Sequence, residues 1–215
     1  LFGLVGSEMC IRDSPEAVED IIMGCGNPEG AQGHNVGRNA AVLSNLPITT
    51  GGTTINRYCS SGMQSISMAA SQIMAGCYDT VIAGGAETIS MMQGKQNMDN
   101  FVNERLAEKS PGIYYPMGMT AEVVAKRYNV SREAQDEYAF ESQMRTAAAQ
   151  QAGAYDDEII PMETKMLLMN KETGDSKEID YCVEKDECNR PETTLDGLAS
   201  LKPVSYTHLR AHETE

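Results

Sequence analysis

Residues 53–87, "TTINRYCSSGMQSISMAASQIMAGCYDTVIAGGAE", combine two β-branched segments with a longer segment between them that has a different periodicity. Residues 53–58 and 80–87 have the composition of buried strands. Between them, apolar residues recur at helical spacing over residues 61–75, and Gly76 supplies a stop signal. Strand, helix and strand within about 30 residues predict a βαβ unit, which implies an α/β fold with a parallel sheet.

Further elements flank this unit on both sides. Upstream, "VEDIIMGC" at residues 18–25 indicates a buried strand, and "NVGRNAAVL" at residues 35–43 predicts a helix. Downstream, we expect Thr120 to cap one helix and Ser131 to open a second helix, which Gly153 stops. The upstream strand gives the predicted parallel sheet a third member.

The predicted helix at residues 61–75 carries no charge on any face. Small residues fill many of the positions that a surface helix gives to Lys and Glu; they are Ser65, Ser67, Ala69, Ser71 and Ala75. Such a helix is typical of a position between packed layers, because small side chains let neighbouring backbones approach. We therefore expect this helix to be buried on all sides, with Cys59 at its amino end.

Cys59, at the start of this helix, carries a thiol that can do covalent chemistry. The thiolate is the nucleophilic form of cysteine, and unpaired N–H groups at the start of a helix favour negative charge there. We expect Ser61 to cap the helix. Because a helix end contributes only about 0.3–1 kcal/mol, rapid chemistry needs a second activating group such as an imidazole. The placement alone fits an inert buried cysteine equally well.

Composition and charge exclude several classes of protein. A net charge of −14 and a pI near 4.6 argue against a nucleic-acid partner, which requires clustered Lys and Arg. Residues 156–196 hold 13 acidic and 5 basic residues, which indicates a solvated acidic face. No apolar run approaches the roughly 20 residues of a membrane span, and the six dispersed cysteines indicate a reducing compartment. We therefore predict a cytoplasmic protein without a membrane span or a metal site.

Several ordered motifs resemble those of the thiolase family. Residues 56–90, from "NRYCSSG" to "AGGAETIS", match the family pattern N-R-x-C-x-S-G, a buried helix, then A-G-G-x-E-x-x-S. Blocks on both sides are also similar, including "GCGNPEGAQGHNVGRNAAVLSNLPITTGGTT", "MGMTAEVVAKRYNVSREAQDEYAFESQ" and "RPETTLDGLASLKPV". The resemblance implies a thiolase-like layered α-β-α-β-α fold, with an incomplete nucleophile-bearing α/β domain at residues 15–88 and a loop domain that covers coenzyme A at residues 89–204. Residues 1–14 and 205–215 depart from the family, and we expect them to be non-native flanks.

The resemblance also implies an activity. Cys59 falls at the family's acylated nucleophile, which attacks a 3-ketoacyl-CoA, releases acetyl-CoA and passes the shortened acyl group to free coenzyme A, as in fatty-acid β-oxidation. Met117, Arg190 and Gly197 match positions that contact coenzyme A, which is a co-substrate, and no permanently bound cofactor is expected. The usual assembly of the family predicts a homodimer or homotetramer.

Two other functions remain open. One is a biosynthetic acetyl-CoA acetyltransferase of the same family, which commonly has histidine where this sequence has Pro116 before Met117, so that the degradative reaction is favoured. The other is a noncatalytic carrier of acyl-CoA or lipid, which keeps the fold but has no use for Cys59.

Two catalytic groups of the family do not occur in this sequence. The family has a histidine in a G-H-P segment and a second cysteine in a C-x-G motif, whereas His34, His208 and His212 stand in other contexts here. We therefore interpret the chain as the amino-terminal half of a thiolase together with its loop domain. We expect these 215 residues alone to show negligible thiolysis activity and to expose apolar surface.

Overall fold

The computed structural model describes residues 14–170 and 173–203, and the chain divides into two compact units between Phe101 and Val102. Apart from Ser14, the flanks expected at residues 1–14 and 205–215 lie outside the described residues. The domain boundary expected after residue 88 stays a prediction.

The first unit is built from strands and helices in alternation. In chain order they are β1 (Asp20–Gly24), α1 (Val36–Leu43), β2 (Thr53–Ile55), α2 (Ser61–Met74), β3 (Val81–Gly85) and α3 (Ile89–Met92). Short 3₁₀ turns cover Pro15–Ala17 and Gly30–Gln32. This alternation confirms the α/β class predicted from the sequence.

The three strands form one parallel sheet in the order β2-β1-β3. The central strand β1 pairs on both edges, and Ile22 lies opposite Thr53 on one side and Ala83 on the other. Because β1 has neighbours on both edges, its residues are the most buried of the sheet, and Ile21 and Ile22 are core residues. The core of the unit therefore sits around β1.

The sequence located these elements to within a few residues. The helix predicted at residues 35–43 is α1, and the side chain of Asn35 caps it by accepting a hydrogen bond from the Arg38 N–H at 3.1 Å. The strand expected over residues 53–58 is shorter and stops at Ile55, because the chain turns from Asn56 onward. Gly76 follows α2 with a φ of +71°, as expected of a helix stop.

Helix α2 is buried on one face only, so the expectation of a helix enclosed on all sides was wrong for this chain. Ser61, Ser65 and Ala69 are buried against the sheet. Met63 and Met74 lie on the other faces and are 76% and 88% exposed. The uncharged composition of α2 therefore did not indicate burial: much of the helix surface is apolar and open to solvent, and the separate prediction that the chain exposes apolar surface is confirmed.

The second unit begins with helices. They are α4 (Glu104–Lys109), α5 (Met117–Tyr128) and α6 (Arg132–Gln151), with a 3₁₀ turn at Pro111–Tyr114. Ser131 caps α6 by accepting from the Ala134 N–H at 3.2 Å, and Gly153 follows with a φ of +70°, both as predicted. Thr120 was wrongly expected to cap a helix, because α5 already starts at Met117 with Pro116 at the cap position.

An antiparallel hairpin and a short helix complete the second unit. They are β4 (Met162–Met169), β5 (Ser176–Val183) and α7 (Leu195–Ala199). The pairing of β4 with β5 brings Lys165 opposite Asp180, where the two side chains form an exposed ion pair. Across residues 14–170 and 173–203, no helix is both long and apolar enough to cross a membrane.

Candidate active site

A tight turn brings Cys59 to the start of α2. Tyr58, the residue before the cysteine, has a left-handed backbone with a φ of +47°, which is uncommon for an aromatic residue. Its N–H donates to Asn56 Oδ1 at 2.8 Å, and its carbonyl accepts from Ser61 Oγ at 2.6 Å. These two bonds hold the strained residue from both sides and fix the backbone that carries Cys59.

Ser61 stabilises this turn but does not cap the helix, contrary to the prediction. Ser61 is the first residue of α2, and Ser60 occupies the cap position without a side-chain hydrogen bond. The Ser61 hydroxyl accepts from the Arg57 N–H at 2.9 Å, so it connects the first turn of the helix to the preceding turn.

Glycines allow the start of α2 to lie directly on the sheet. A Cβ on Gly24, the last residue of β1, would lie 2.4 Å from the carbonyl carbon of Ser61 and 2.6 Å from the nitrogen of Gly62. One turn further along the helix, the fully buried Ser65 donates to the Gly84 carbonyl of β3 at 2.8 Å. Cys59 is therefore held at the end of the sheet where β1 and β3 stop.

A cavity of about 370 Å³ opens at this end of the sheet. Three segments line it: the loop after β1, the turn that enters α2, and the segment after β3. The lining residues are Gly24, Gly26, Asn27, Tyr58, Cys59, Ser61, Gly62, Gly85, Ala86, Glu87 and Ile89. Cys59 is exposed, so a reactant that enters this space can reach its thiol.

The first turn of α2 adds hydrogen-bond donors near the thiol. The N–H groups of Gly62 and Met63 are the second and third of the helix, and neither finds an acceptor among the residues that the structure describes. Unpaired amides at a helix start favour an anion or a polarised carbonyl oxygen. Of these two residues, Gly62 lines the cavity, which thus combines a thiol with an unpaired backbone N–H.

The other described cysteines do not share this setting. Cys25 is 1% exposed, and burial raises the pKa of its thiol, with the nearby Glu87 carboxylate adding to the effect. Cys77, Cys182 and Cys188 do not line the cavity. Within the described ranges, no group of three or more His, Cys, Asp or Glu side chains could hold a metal ion. Among the described cysteines, Cys59 alone joins exposure to a cavity.

Comparison with known proteins identifies the family. The family model described as "Thiolase, N-terminal domain" matches residues 10–208. The chain belongs to the thiolase family. It is 46% identical over 189 residues to the 3-ketoacyl-CoA thiolase of Bacillus subtilis and 41% identical over 195 residues to the peroxisomal 3-ketoacyl-CoA thiolase A of Mus musculus. It is also 38% identical over 203 residues to the acetyl-CoA acetyltransferase of Chromobacterium violaceum.

This thiolase chain spans about half the length of the curated relatives it matches. The alignments cover 87%, 90% and 88% of the chain but 47%, 44% and 49% of the bacillary, murine and Chromobacterium proteins. The match over most of the chain shows the family, but it does not show that this chain has the activity of its longer relatives.

The residues expected to contact coenzyme A all lie in the second unit of this thiolase chain. Met117 is the first residue of α5 and is 74% exposed. Arg190 is exposed, and its backbone N–H donates to Gln143 Oε1 of α6 at 2.6 Å. Gly197 is an exposed residue of α7. Helix α6 thus holds the segment with Arg190, and no hydrogen bond between described residues joins Met117 to Arg190 or Gly197.

A second link ties α7 to α6. The Arg132 guanidinium, at the start of α6, pairs with Asp136 at 2.8 Å and donates to the Leu198 carbonyl at 2.6 Å. The hydrogen bond from the charged Arg132 to Leu198, the residue after Gly197, therefore anchors α7 to α6. These contacts fix the local backbone around two of the three expected coenzyme A positions.

Two residues of the site escaped the sequence analysis. The sequence marked Glu87, which follows the double glycine after β3, only as part of the family pattern, and it did not mark Gln32. In the structure, Glu87 lines the cavity and accepts hydrogen bonds from Gly26 and Gln32. Gln32 lies 55 positions from Glu87 in a loop without periodicity, so no local signal could have identified this pair.

Proposed function

We propose that this chain carries the nucleophile of an acyltransferase that cleaves 3-ketoacyl-CoA with coenzyme A, giving acetyl-CoA and a shortened acyl-CoA. The observation that supports this proposal most is the exposed Cys59 thiol in a cavity at the amino end of α2. Relatives named 3-ketoacyl-CoA thiolase align with most of the chain, which favours the thiolysis step of fatty-acid β-oxidation.

The proposed reaction has two covalent stages. The Cys59 thiolate attacks the keto carbon of the substrate, the bond between C2 and C3 breaks, and the acetyl-CoA enolate leaves and takes up a proton. The thiol of free coenzyme A then attacks the thioester, gives up its proton and releases Cys59. The free N–H groups of the first turn of α2 can stabilise the charge that develops on the substrate oxygen.

Coenzyme A is the proposed co-substrate, and the second unit supplies its proposed contacts. Within the described ranges the Arg190 guanidinium makes no ion pair, so it is available to an anionic nucleotide or can stack on its base. The exposed thioether of Met117 offers an apolar contact, and Gly197 leaves room for close approach of the cofactor to the backbone.

A biosynthetic acetyl-CoA acetyltransferase is a second candidate. The relative of that name in Chromobacterium violaceum supports it, because its alignment covers 88% of the chain. The two candidates differ in the acyl group expected on Cys59: a longer chain from 3-ketoacyl-CoA thiolysis, and an acetyl group from the biosynthetic reaction. Assembly as a homodimer or homotetramer and a cytoplasmic location stay predictions for either candidate.

Intact-mass spectrometry of the 215-residue chain tests the proposal. After exposure to acetyl-CoA or a longer acyl-CoA under mildly alkaline conditions, which generate thiolate without an imidazole, the chain should gain one acyl group. Cys59→Ala should abolish the adduct. Cys77→Ala and Cys188→Ala remove exposed thiols outside the cavity and should leave the adduct intact.

The same measurement separates an enzyme from a noncatalytic carrier. A carrier binds the acyl-CoA but leaves Cys59 unmodified, which would overturn the acyltransferase proposal. Acylation spread evenly over the exposed cysteines would also overturn it, because the cavity would then confer no selectivity.

A further inference from the structure

Gln32 and Glu87 connect the two loops that flank the Cys59 cavity. Gln32 ends the 3₁₀ turn after β1 and is 6% exposed. Its Nε2 donates to Glu87 and to the Asn27 carbonyl at 2.8 Å, and its Oε1 accepts from the Thr88 N–H at 2.7 Å. Both N–H donors of the amide and its oxygen are therefore engaged, so the orientation of Gln32 is fixed.

The Glu87 carboxylate completes the connection. One oxygen accepts from the Gly26 N–H at 2.5 Å, and the other accepts from Gln32 and lies 3.9 Å from the Cys25 sulfur. A Cβ on Gly26 would lie 2.8 Å from the carboxylate, so glycine is needed for this approach. Every neighbour of the carboxylate in this network is a hydrogen-bond donor.

This connection begins where the sheet ends. The last backbone bond between the two loops runs from the Ala86 N–H to the Gly24 carbonyl at 3.0 Å. Beyond it, the bonds made by Gln32 and Glu87 join the loop after β1 to the segment after β3. Those two segments form two walls of the cavity, and the turn with Cys59 forms the third.

We propose that Glu87 and Gln32 act as positioning residues for acyl transfer at Cys59, by holding two walls of the cavity at the spacing that the acyl thioester requires. The inference rests on the proposed acyl transfer. Neither side chain reacts; they act by fixing the backbone of Gly26, Asn27 and Ala86, which line the cavity. Misplacement of such groups by about 1 Å can slow a reaction by about 100-fold.

The charge of Glu87 is central to this role. A carboxylate has only acceptor atoms, which suits the donors around it. Glu87→Gln replaces one oxygen by an NH₂ group that faces another N–H donor, so one hydrogen bond is lost and the two loops separate. Glu87→Asp keeps both acceptors on a shorter side chain and should recover part of the function.

The test compares two reactions of Cys59 in the 215-residue chain at about pH 8.5, where about half of an ordinary thiol is ionised. In the first, acetyl-CoA acylates Cys59: a bond forms from Sγ to the acetyl carbon, the bond from that carbon to the coenzyme A sulfur breaks, and coenzyme A takes up the released proton. In the second, iodoacetamide alkylates the same thiol. The small reagent needs only an exposed thiolate, whereas the thioester needs the cavity.

We expect Glu87→Gln to slow acetylation about tenfold or more while alkylation stays within about twofold of the wild type. The acetylation rate of Glu87→Asp should fall between those of the wild type and Glu87→Gln. Glu19→Gln is the matched control, because Glu19 accepts N–H groups of Asp79 and Thr80 at the opposite end of the sheet and should leave both rates unchanged.

The outcomes separate this inference from the proposed function. A wild-type chain that iodoacetamide alkylates but acetyl-CoA never acylates overturns the proposed function, and the inference with it. If Glu87→Gln is acetylated as fast as the wild type, the positioning role alone is overturned. A parallel fall of both rates in Glu87→Gln also overturns it, because the pair then only supports the turn that carries Cys59.

Discussion

Gly24→Ala tests whether the start of α2 depends on direct contact with the end of β1. The new methyl carbon would lie 2.4 Å from the carbonyl carbon of Ser61, 2.5 Å from its oxygen and 2.6 Å from the nitrogen of Gly62. Non-bonded carbon atoms are relaxed at about 3.5–4.0 Å, so the first turn of α2 must move by about 1 Å. The displaced atoms belong to the backbone, and a side-chain rotation cannot relieve the clash.

The expected cost follows from this displacement. Overpacking of a well-packed interior destabilises a protein by about 1–3 kcal/mol, and the backbone contacts place Gly24→Ala near the upper end. In a unit of this size, 1 kcal/mol corresponds to about 4–8 °C, so the melting temperature should fall by about 10–20 °C. Because Cys59 lies two residues before Ser61, its alkylation rate should change as well.

Thermal unfolding followed by circular dichroism measures the effect, and Gly62→Ala is the matched control. A Cβ on Gly62 meets nothing within 4 Å, so the same substitution there should raise the stability by about 0.5 kcal/mol through helix propensity. If Gly24→Ala melts within about 3 °C of the wild type, or if both variants shift in the same direction, the reasoning about this contact is wrong.

Three further substitutions test other parts of the structure. Ser65→Ala should lower the free energy of unfolding by about 1 kcal/mol, because its buried hydroxyl bonds the Gly84 carbonyl, whereas Ser71→Ala on the exposed face should stay within about 0.5 kcal/mol in the same urea titration. Cys25→Ala should cost less stability at pH 9.5 than at pH 7. Burial raises the pKa of the Cys25 thiol in the folded state, so the stability that this thiol contributes is complete below the unfolded pKa and is lost as the pH rises through the folded pKa. A cost independent of pH would contradict this. Ser131→Ala removes the cap of α6 and should cost about 0.5–2 kcal/mol by chemical denaturation.

The sequence was most informative where burial imposes a period on the residues. Strand β1 and helix α1 could be located because their apolar residues face one core. The β4–β5 hairpin was not predicted, since its residues are mostly exposed on both faces and show no alternation. The same reasoning overestimated the burial of α2, because an uncharged helix has the same composition whether its outer face is covered or not.

The candidate site was only partly predictable for a related reason. Cys59 could be placed at the start of α2 because a position before a helix is a local property of the sequence, whereas its role as nucleophile came only from the family resemblance and stays a prediction. The bond between Gln32 and Glu87 depends on two loops meeting in space, and nothing in either loop encodes that meeting. The strained Tyr58 backbone was equally hidden, because tyrosine is not a residue that signals a left-handed conformation.

The double attachment of α2 restricts how the length of this segment can vary. Gly62 lies against the ends of β1 and β3, and Ser65 is bonded to Gly84 one turn later. A residue inserted between Gly62 and Ser65 turns the rest of the helix by about 100°, which puts the bulky Met68 at the sheet-facing position of the small Ala69. Natural variants of this stretch should therefore differ by exchange of residues, while insertions and deletions collect in the loops beyond the helix.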